Sequence, residues 1–218
     1  MGKKRLEDAL KKVEHPVKVV YRSFELDPTA PKDVKENIYE KLSGKYGISI
    51  EQAKANTQNV VQMAREVGLD FQFDTMILTN SFDAHRLTIF AKKQGLMNEM
   101  TDRLLRAFYT ESKHIGDHST LIQLAKEVGL DGEAVAGMLE NGGMSDEVRA
   151  DEQEASKLGI RSIPYFLINK KYAVSGAQSS ETFVQAMNQI LEQDGPFIEV
   201  IATDGVVCDE FGCEIPKS

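Results

Sequence analysis

Between Pro31 and about Gly143 the chain is an almost unbroken series of helix-forming stretches, and its β-prone residues lie on either side of that block. "SIEQAKANTQNVVQMAREVG", "SFDAHRLTIFAKKQG", "NEMTDRLLRAFYTES", "STLIQLAKEVG" and "DGEAVAGMLENGG" each carry an apolar stripe at helical spacing and close on or near glycine. Ahead of the block, Leu6, Leu10 and Val13 mark a helix that His15-Pro16 stops. "VKVVYRSFEL", β-branched and aromatic, then reads as a strand ending at Asp27-Pro28. Behind the block, "SDEVRADEQEASKLG" is a helix whose acidic residues are most simply a solvated face. "PYFLINKKYAV" is a hairpin turning at Asn169-Lys170, and "SSETFVQAMNQILEQ" is a last amphipathic helix. The order is helix, strand, helical block, helix, hairpin, helix. This is an α/β plan in which residues 1–30 and 144–218 form one domain and residues 31–143 a helical insertion.

"AREVGLD" at 64–70 returns as "AKEVGLD" at 125–131. The flanking residues do not match, so the pair reads as the same helix-ending chemistry used twice, with Gly68 and Gly129 as left-handed caps.

Charge excludes several partners. A net charge of -8 argues against nucleic acid or an anionic membrane, both of which are bound chiefly through basic patches. The sequence lacks the roughly 18-residue apolar run of a membrane helix, and "MGKKRLEDALKK" lacks the apolar stretch of a signal peptide, which together suggest a cytoplasmic location. The two cysteines, Cys208 and Cys213, both lie in the tail, so this is not a disulfide-stapled secreted fold. No cofactor is implied.

The Ile163-Pro164 bond opens an apolar run, Tyr165 to Ile168. Proline at a strand start is ordinary punctuation, but a cis-proline here would present unpaired backbone to a ligand. "GIRSIPYFLINKKYAVSGAQ", "NSFDAHR" and "LLRAFYTESKHIGD" together resemble the FrnE-like branch of DsbA-type dithiol oxidoreductases, over nearly the whole chain. The resemblance implies a thioredoxin-like fold with a helical insertion, thiol–disulfide oxidoreductase or isomerase activity, and thiol or disulfide-containing polypeptides as partners. It also implies that Ser162, Ile163 and Pro164 form a substrate-binding loop with a cis bond. Ile163 would then pair with an extended substrate by strand addition.

One part of the pattern is missing. Such proteins read strand, Cys-x-x-Cys and then Gly-Lys, and this sequence starts at Met1-Gly2-Lys3, without that strand or that pair. Lys3, Lys4 and Arg5 at the positive end of a helix also make better sense behind a thiolate. The expectation is therefore a start at an internal methionine or a truncated chain, with genuine shortening as the alternative. Loss of a central strand would leave a gap of roughly 10 Å in the sheet. Tail segment "FIEVIATDGVV" could fill it, within one chain or exchanged in a homodimer.

Cys208 and Cys213 then read as an auxiliary redox pair, a structural disulfide or free thiols. Asp209, Glu210 and Glu214 disfavour a thiolate there, and two cysteines alone make no zinc site. His85, in a helix capped by Asn80 or Ser81, is a candidate proton shuttle or a packing histidine. His15, His114 and His118 read as surface residues. Leu104, Leu105, Phe108 and Tyr109 share a face that is either core or a polypeptide groove. Two further functional readings stay open: a glutathione-dependent isomerase, and a peptide-binding, chaperone-like module without catalytic thiols.

Overall fold

A computed structural model describes residues 1–195 and the backbone of two short strands at 208–209 and 212–213. Helix α1 (Gly2–Leu10) is followed by an extended stretch, and then by α2 (Ile38–Tyr46), α3 (Ile50–Arg65), α4 (Phe82–Lys92), α5 (Met97–Tyr109), α6 (His118–Glu127), α7 (Gly132–Glu140) and α8 (Ser145–Lys157). Strands β1 (Tyr165–Ile168) and β2 (Tyr172–Ser175) form an antiparallel hairpin, α9 (Ser180–Asp194) follows, and β3 (Cys208–Asp209) pairs with β4 (Gly212–Cys213). No described helix is long and apolar enough to cross a membrane.

Local chemistry sets the helix ends. Asn37 with Glu40, and Ser49 with Gln52, form reciprocal capping boxes at the starts of α2 and α3. The two related heptapeptides close alike: Gly68 and Gly129 both take positive φ, which lets Leu69 N–H reach the Ala64 carbonyl at 2.9 Å and Leu130 N–H reach that of Ala125 at 3.0 Å. At the hairpin, Asn169 and Lys170 both take positive φ, the geometry of a turn whose twist matches the strands.

Two apolar clusters organise the chain. The larger joins α4, α5, α6 and α7 through Leu87, Met100, Leu121, Leu124 and Val135, all fully buried. Leu104 and Phe108 belong to it and Tyr109 stacks on Phe71 with ring centroids 4.6 Å apart, so the stripe on α5 is core, with Leu105 alone turned outward. The smaller cluster packs α1 and α9 together on the hairpin through Ala9, Phe183 and Met187, with Phe166, Ile168 and Val174 beneath. In the register Phe166↔Val174 and Ile168↔Tyr172 these residues share one face. Leu167, on the opposite face, is 39% exposed.

The strand expected at "VKVVYRSFEL" is not one. Residues 17–26 form no ladder with any described strand, and Val17, Val19, Val20 and Leu26 are exposed. A β-prone sequence pairs only when a partner backbone lies beside it. Here the partners are side chains of α8: Ser23 N–H donates to Asp151 Oδ2 at 2.8 Å and Glu25 N–H to Glu152 Oε1 at 3.4 Å. The acidic face of α8 is accordingly not simply solvated, since Asp151 is buried. Among the described residues β1 has β2 as its one ladder partner, and the tail segment proposed to fill the sheet, "FIEVIATDGVV", lies outside the described residues.

A charge network fastens the chain where it enters the helical block. Asn80 N–H donates to the Pro31 carbonyl at 3.1 Å and Thr79 Oγ1 to that of Lys32 at 2.7 Å. Lys32 Nζ and His118 Nε2 both meet Asp83 Oδ2, at 2.6 and 2.8 Å, and Arg86 Nη1 donates to Asp83 Oδ1 at 2.7 Å. Arg86 also donates to the carbonyls of Met138, Leu139 and Gly143, satisfying the end of α7. Burial pushes the Asp83 carboxyl up, but the hydrogen bonds from Lys32, Arg86 and His118 outweigh it and hold it at about 2.

Truncating Phe183 to alanine empties the smaller cluster and is expected to lower stability by about 3–5 kcal/mol, read as an earlier urea midpoint. Asp83→Asn strands a buried guanidinium and is expected to cost about 3–5 kcal/mol at pH 7. Because the folded-state pKa of Asp83 is depressed, its contribution is fully present above the ordinary value of 3.8 and is lost as pH falls toward about 2. Wild-type and Asp83→Asn unfolding midpoints should therefore converge across that acid range, and a constant gap would disprove the network's role.

Candidate functional site

The start of α1 rests directly on the proline that opens β1. A Cβ on Gly2 would fall 2.8 Å from Pro164 Cγ and 3.3 Å from Phe166 Cζ, so only glycine allows this approach. The Ile163-Pro164 peptide bond is cis. The Pro164 carbonyl accepts from Gly176 N–H at 2.9 Å, which ties the loop to the far end of the hairpin. Ser162 and Ile163 are exposed, Ile163 by 47%, and the backbone N–H and C=O of Ile163 have no hydrogen-bond partner among the described residues.

Basic residues at the start of α1 are paired rather than crowded. Lys3 meets Glu7 and lies 2.6 Å from Asp102 on α5, with Nζ 5.7 Å from the centre of the Tyr21 ring. Burial alone would lower the Lys3 pKa, but these carboxylates hold it above its ordinary value. Tyr21 donates to Asn98 Oδ1 at 3.0 Å, and burial raises its phenol pKa against the opposing pull of Lys3. Arg5 Nη1 donates to the Ala177 carbonyl at 2.6 Å, while Ser180 Oγ donates to the Arg5 carbonyl at 2.9 Å. The N-terminal turn of α1 is thus fixed to α5 on one side and to the β2–α9 connection on the other.

Of the residues singled out from sequence, Ser162, Ile163 and Pro164 form one exposed loop facing α1. His85 lies elsewhere in the described contacts, beside the Phe24 backbone and the carboxylates of α8. Burial lowers its pKa, opposed by Glu152, the Phe24 backbone and Asp151. Ser81 is the N-cap residue of its helix but makes no capping bond with its side chain; Asn80 Oδ1, one residue earlier, accepts from Phe82 N–H at 2.8 Å. The side chains of Cys208 and Cys213 lie outside the described residues, although the backbone register sets the two positions opposite one another.

His114 and His118, expected at the surface, are partly exposed there and are also engaged by acids. His114 Nε2 lies 3.4 Å from Asp33, with Nδ1 buried, and both histidines line a cleft of about 470 Å³ together with Lys32, Asp33, Gly116 and Asp117. Their spacing across the Gly116 turn hides this, because the acids that meet them come from residues 33 and 83. Among the described residues no group of three or more His, Cys, Asp or Glu could hold a metal ion.

Comparison with known proteins agrees with this geometry. A probable DsbA oxidoreductase of Streptomyces coelicolor superposes with a TM-score of 0.82 and 36% identity, over 99% of this chain and 93% of that one. The uncharacterized protein YwbO of Bacillus subtilis is 30% identical over 132 residues, or 60% of this chain, and the chain spans 66% of that relative's length, just under two thirds. Residues 1–188 match the model of the DSBA-like thioredoxin domain. With the mixed helical and hairpin architecture and the Pro164 loop set against α1, the chain belongs to the DSBA-like thioredoxin domain family.

Proposed function

We propose that the protein works in thiol–disulfide exchange, with Ser162-Ile163-Pro164 as the loop that docks a thiol or disulfide-bearing polypeptide. The observation that carries this is the free backbone of Ile163. An exposed N–H and C=O at the mouth of a two-stranded hairpin can accept an extended chain as an added strand, while the exposed Ile163 side chain offers apolar contact. The fixed start of α1 opposite Pro164 sets where a thiolate must sit to reach such a chain.

In exchange, a thiolate attacks one sulfur of the substrate disulfide and displaces the other as a thiolate. A second protein thiol then breaks the mixed disulfide, leaving the substrate reduced and the protein pair oxidised. Where α1 begins, this sequence has Met1-Gly2, and its two thiols are Cys208 and Cys213. We assign those two an auxiliary redox role, supported by the register that places them opposite each other. Asp209, Glu210 and Glu214 around them disfavour the thiolate, which makes them weak nucleophiles.

Two measurements test the reading. Titration of the isotopically labelled chain with an unfolded, thiol-blocked peptide should move the amide signals of residues 161–164. Shifts confined to the Lys32–His118 cleft would instead sink the docking assignment. Insulin reduction by the same chain should be feeble. Robust reduction abolished by Cys208→Ser would mean that the tail pair carries the main chemistry rather than an auxiliary share. Glutathione moving the Ile163 amide while the peptide does not would point to a glutathione-using isomerase.

A further inference from the structure

Residues 22–25 and α8 enclose a set of charges that the docking loop does not use. Glu25 is the most enclosed of them: its side chain is 1% exposed, and its Oε1 is buried with no hydrogen-bond partner among the described residues. Its Oε2 receives Arg149 Nη1 at 2.7 Å, and the same Nη1 lies 2.6 Å from Glu152 Oε2. One guanidinium nitrogen thus serves two carboxyls. Arg149 stacks on the Phe82 ring at 4.1 Å, which fixes its plane.

Neighbouring charges do not relieve this crowding. From the same segment, Arg22 is taken by Asp151 at 2.9 Å and approaches Glu154 at 4.0 Å. On α8, Asp151 is held by Arg22 and by Ser23 N–H. From α4, His85 is kept toward its neutral form by burial. Glu25, Asp151 and Glu152 therefore share two guanidinium groups, Arg22 and Arg149, and a buried oxygen of Glu25 is left without a donor.

We propose that Glu25 and Glu152, which share one Arg149 nitrogen, form a pH-sensitive latch between residues 22–25 and α8, closed while Glu25 carries a proton. The proton on Glu25 satisfies one carboxyl with the other and leaves Arg149 a single negative partner. Removing it places two negative carboxyls on one nitrogen, one of them on the enclosed Glu25 side chain. The Ser23 and Glu25 amides rest on α8, and α8 runs through Ile160, whose N–H bonds the Ala155 carbonyl at 2.9 Å, into the docking loop. Burial raises the Glu25 pKa, with Glu152 adding to the rise and Arg149 opposing it. For a carboxyl raised in the folded state, the stabilisation is complete below the ordinary value and is lost as pH climbs through the folded one.

Glu25→Gln copies the protonated form with an amide that can donate to Glu152 and accept from Arg149. Its urea midpoint should match wild type at pH 5 and exceed it at pH 9, and the protection of the Ser23 and Glu25 amides, corrected for intrinsic exchange, should fall with pH in wild type only. On the wild-type chain, a carbon-detected titration of the Glu25 carboxyl should show a midpoint above that of an ordinary glutamate. A carboxyl titrating at or below the ordinary range would overturn the proposal even if Glu25→Gln failed to fold. So would a Glu25→Gln midpoint lower than wild type by the same amount at both pH values.

Discussion

The contact between Gly2 and Pro164 decides what the rest of the thioredoxin-like part can do. Because a Cβ at residue 2 would strike Pro164 Cγ at 2.8 Å, the first turn of α1 can lie against the loop only with glycine there. Once it does, α1 runs over Phe166 and meets α9 through Ala9, Phe183 and Met187. Docking of α1 thus orders the hairpin face and the loop geometry together. Lys3 on Asp102 and Arg5 on the Ala177 carbonyl hold the same turn from both sides, so small shifts there are resisted by polar contacts as well as packing.

How legible these features were in the sequence depended on the range of the interaction. Helix ends, the hairpin turn and the twin glycine caps are set by residues within a turn of one another, and the stripe through Leu104 and Phe108 already allows a core face on α5. Pro164 stands out because it opens an apolar run, whereas a docking role for Ser162-Ile163-Pro164 was implied by the family resemblance alone. The misread residues have partners far along the chain. His118 meets Asp83 thirty-five positions away, and Asp151 meets Ser23 across 128. Periodicity places a side chain on a face but does not say which charge lies opposite, so α8 reads as solvated although Asp151 and Glu152 turn inward.

That inward turn also explains residues 17–26. Their β-branched composition favours extended backbone; a ladder, however, needs a second strand. Helix α8 offers carboxylates at Asp151 and Glu152, which accept N–H groups of alternate residues, Ser23 and Glu25, as a neighbouring strand would. The charge of those carboxylates is in turn met by Arg22 and Arg149. Propensity therefore set the conformation, and the tertiary partner set the hydrogen bonding.

The two extended segments show how backbone exposure separates structure from function. Ser23 is buried, and leaving its N–H without a partner would cost about 1–3 kcal/mol, so Asp151 is drawn in to accept from it. Ile163 is 47% exposed, and water satisfies its backbone at little cost. In the docking proposed above, an incoming chain would exchange that water for strand hydrogen bonds and cover the Ile163 side chain, gaining apolar burial without first breaking a protein–protein bond. Pro164, held from one side by α1 and from the other by Gly176, keeps the open residue at a fixed distance from the helix start. The proposed docking would need no rearrangement of the fold, because the polar groups it would use are the ones left unclaimed among the described residues.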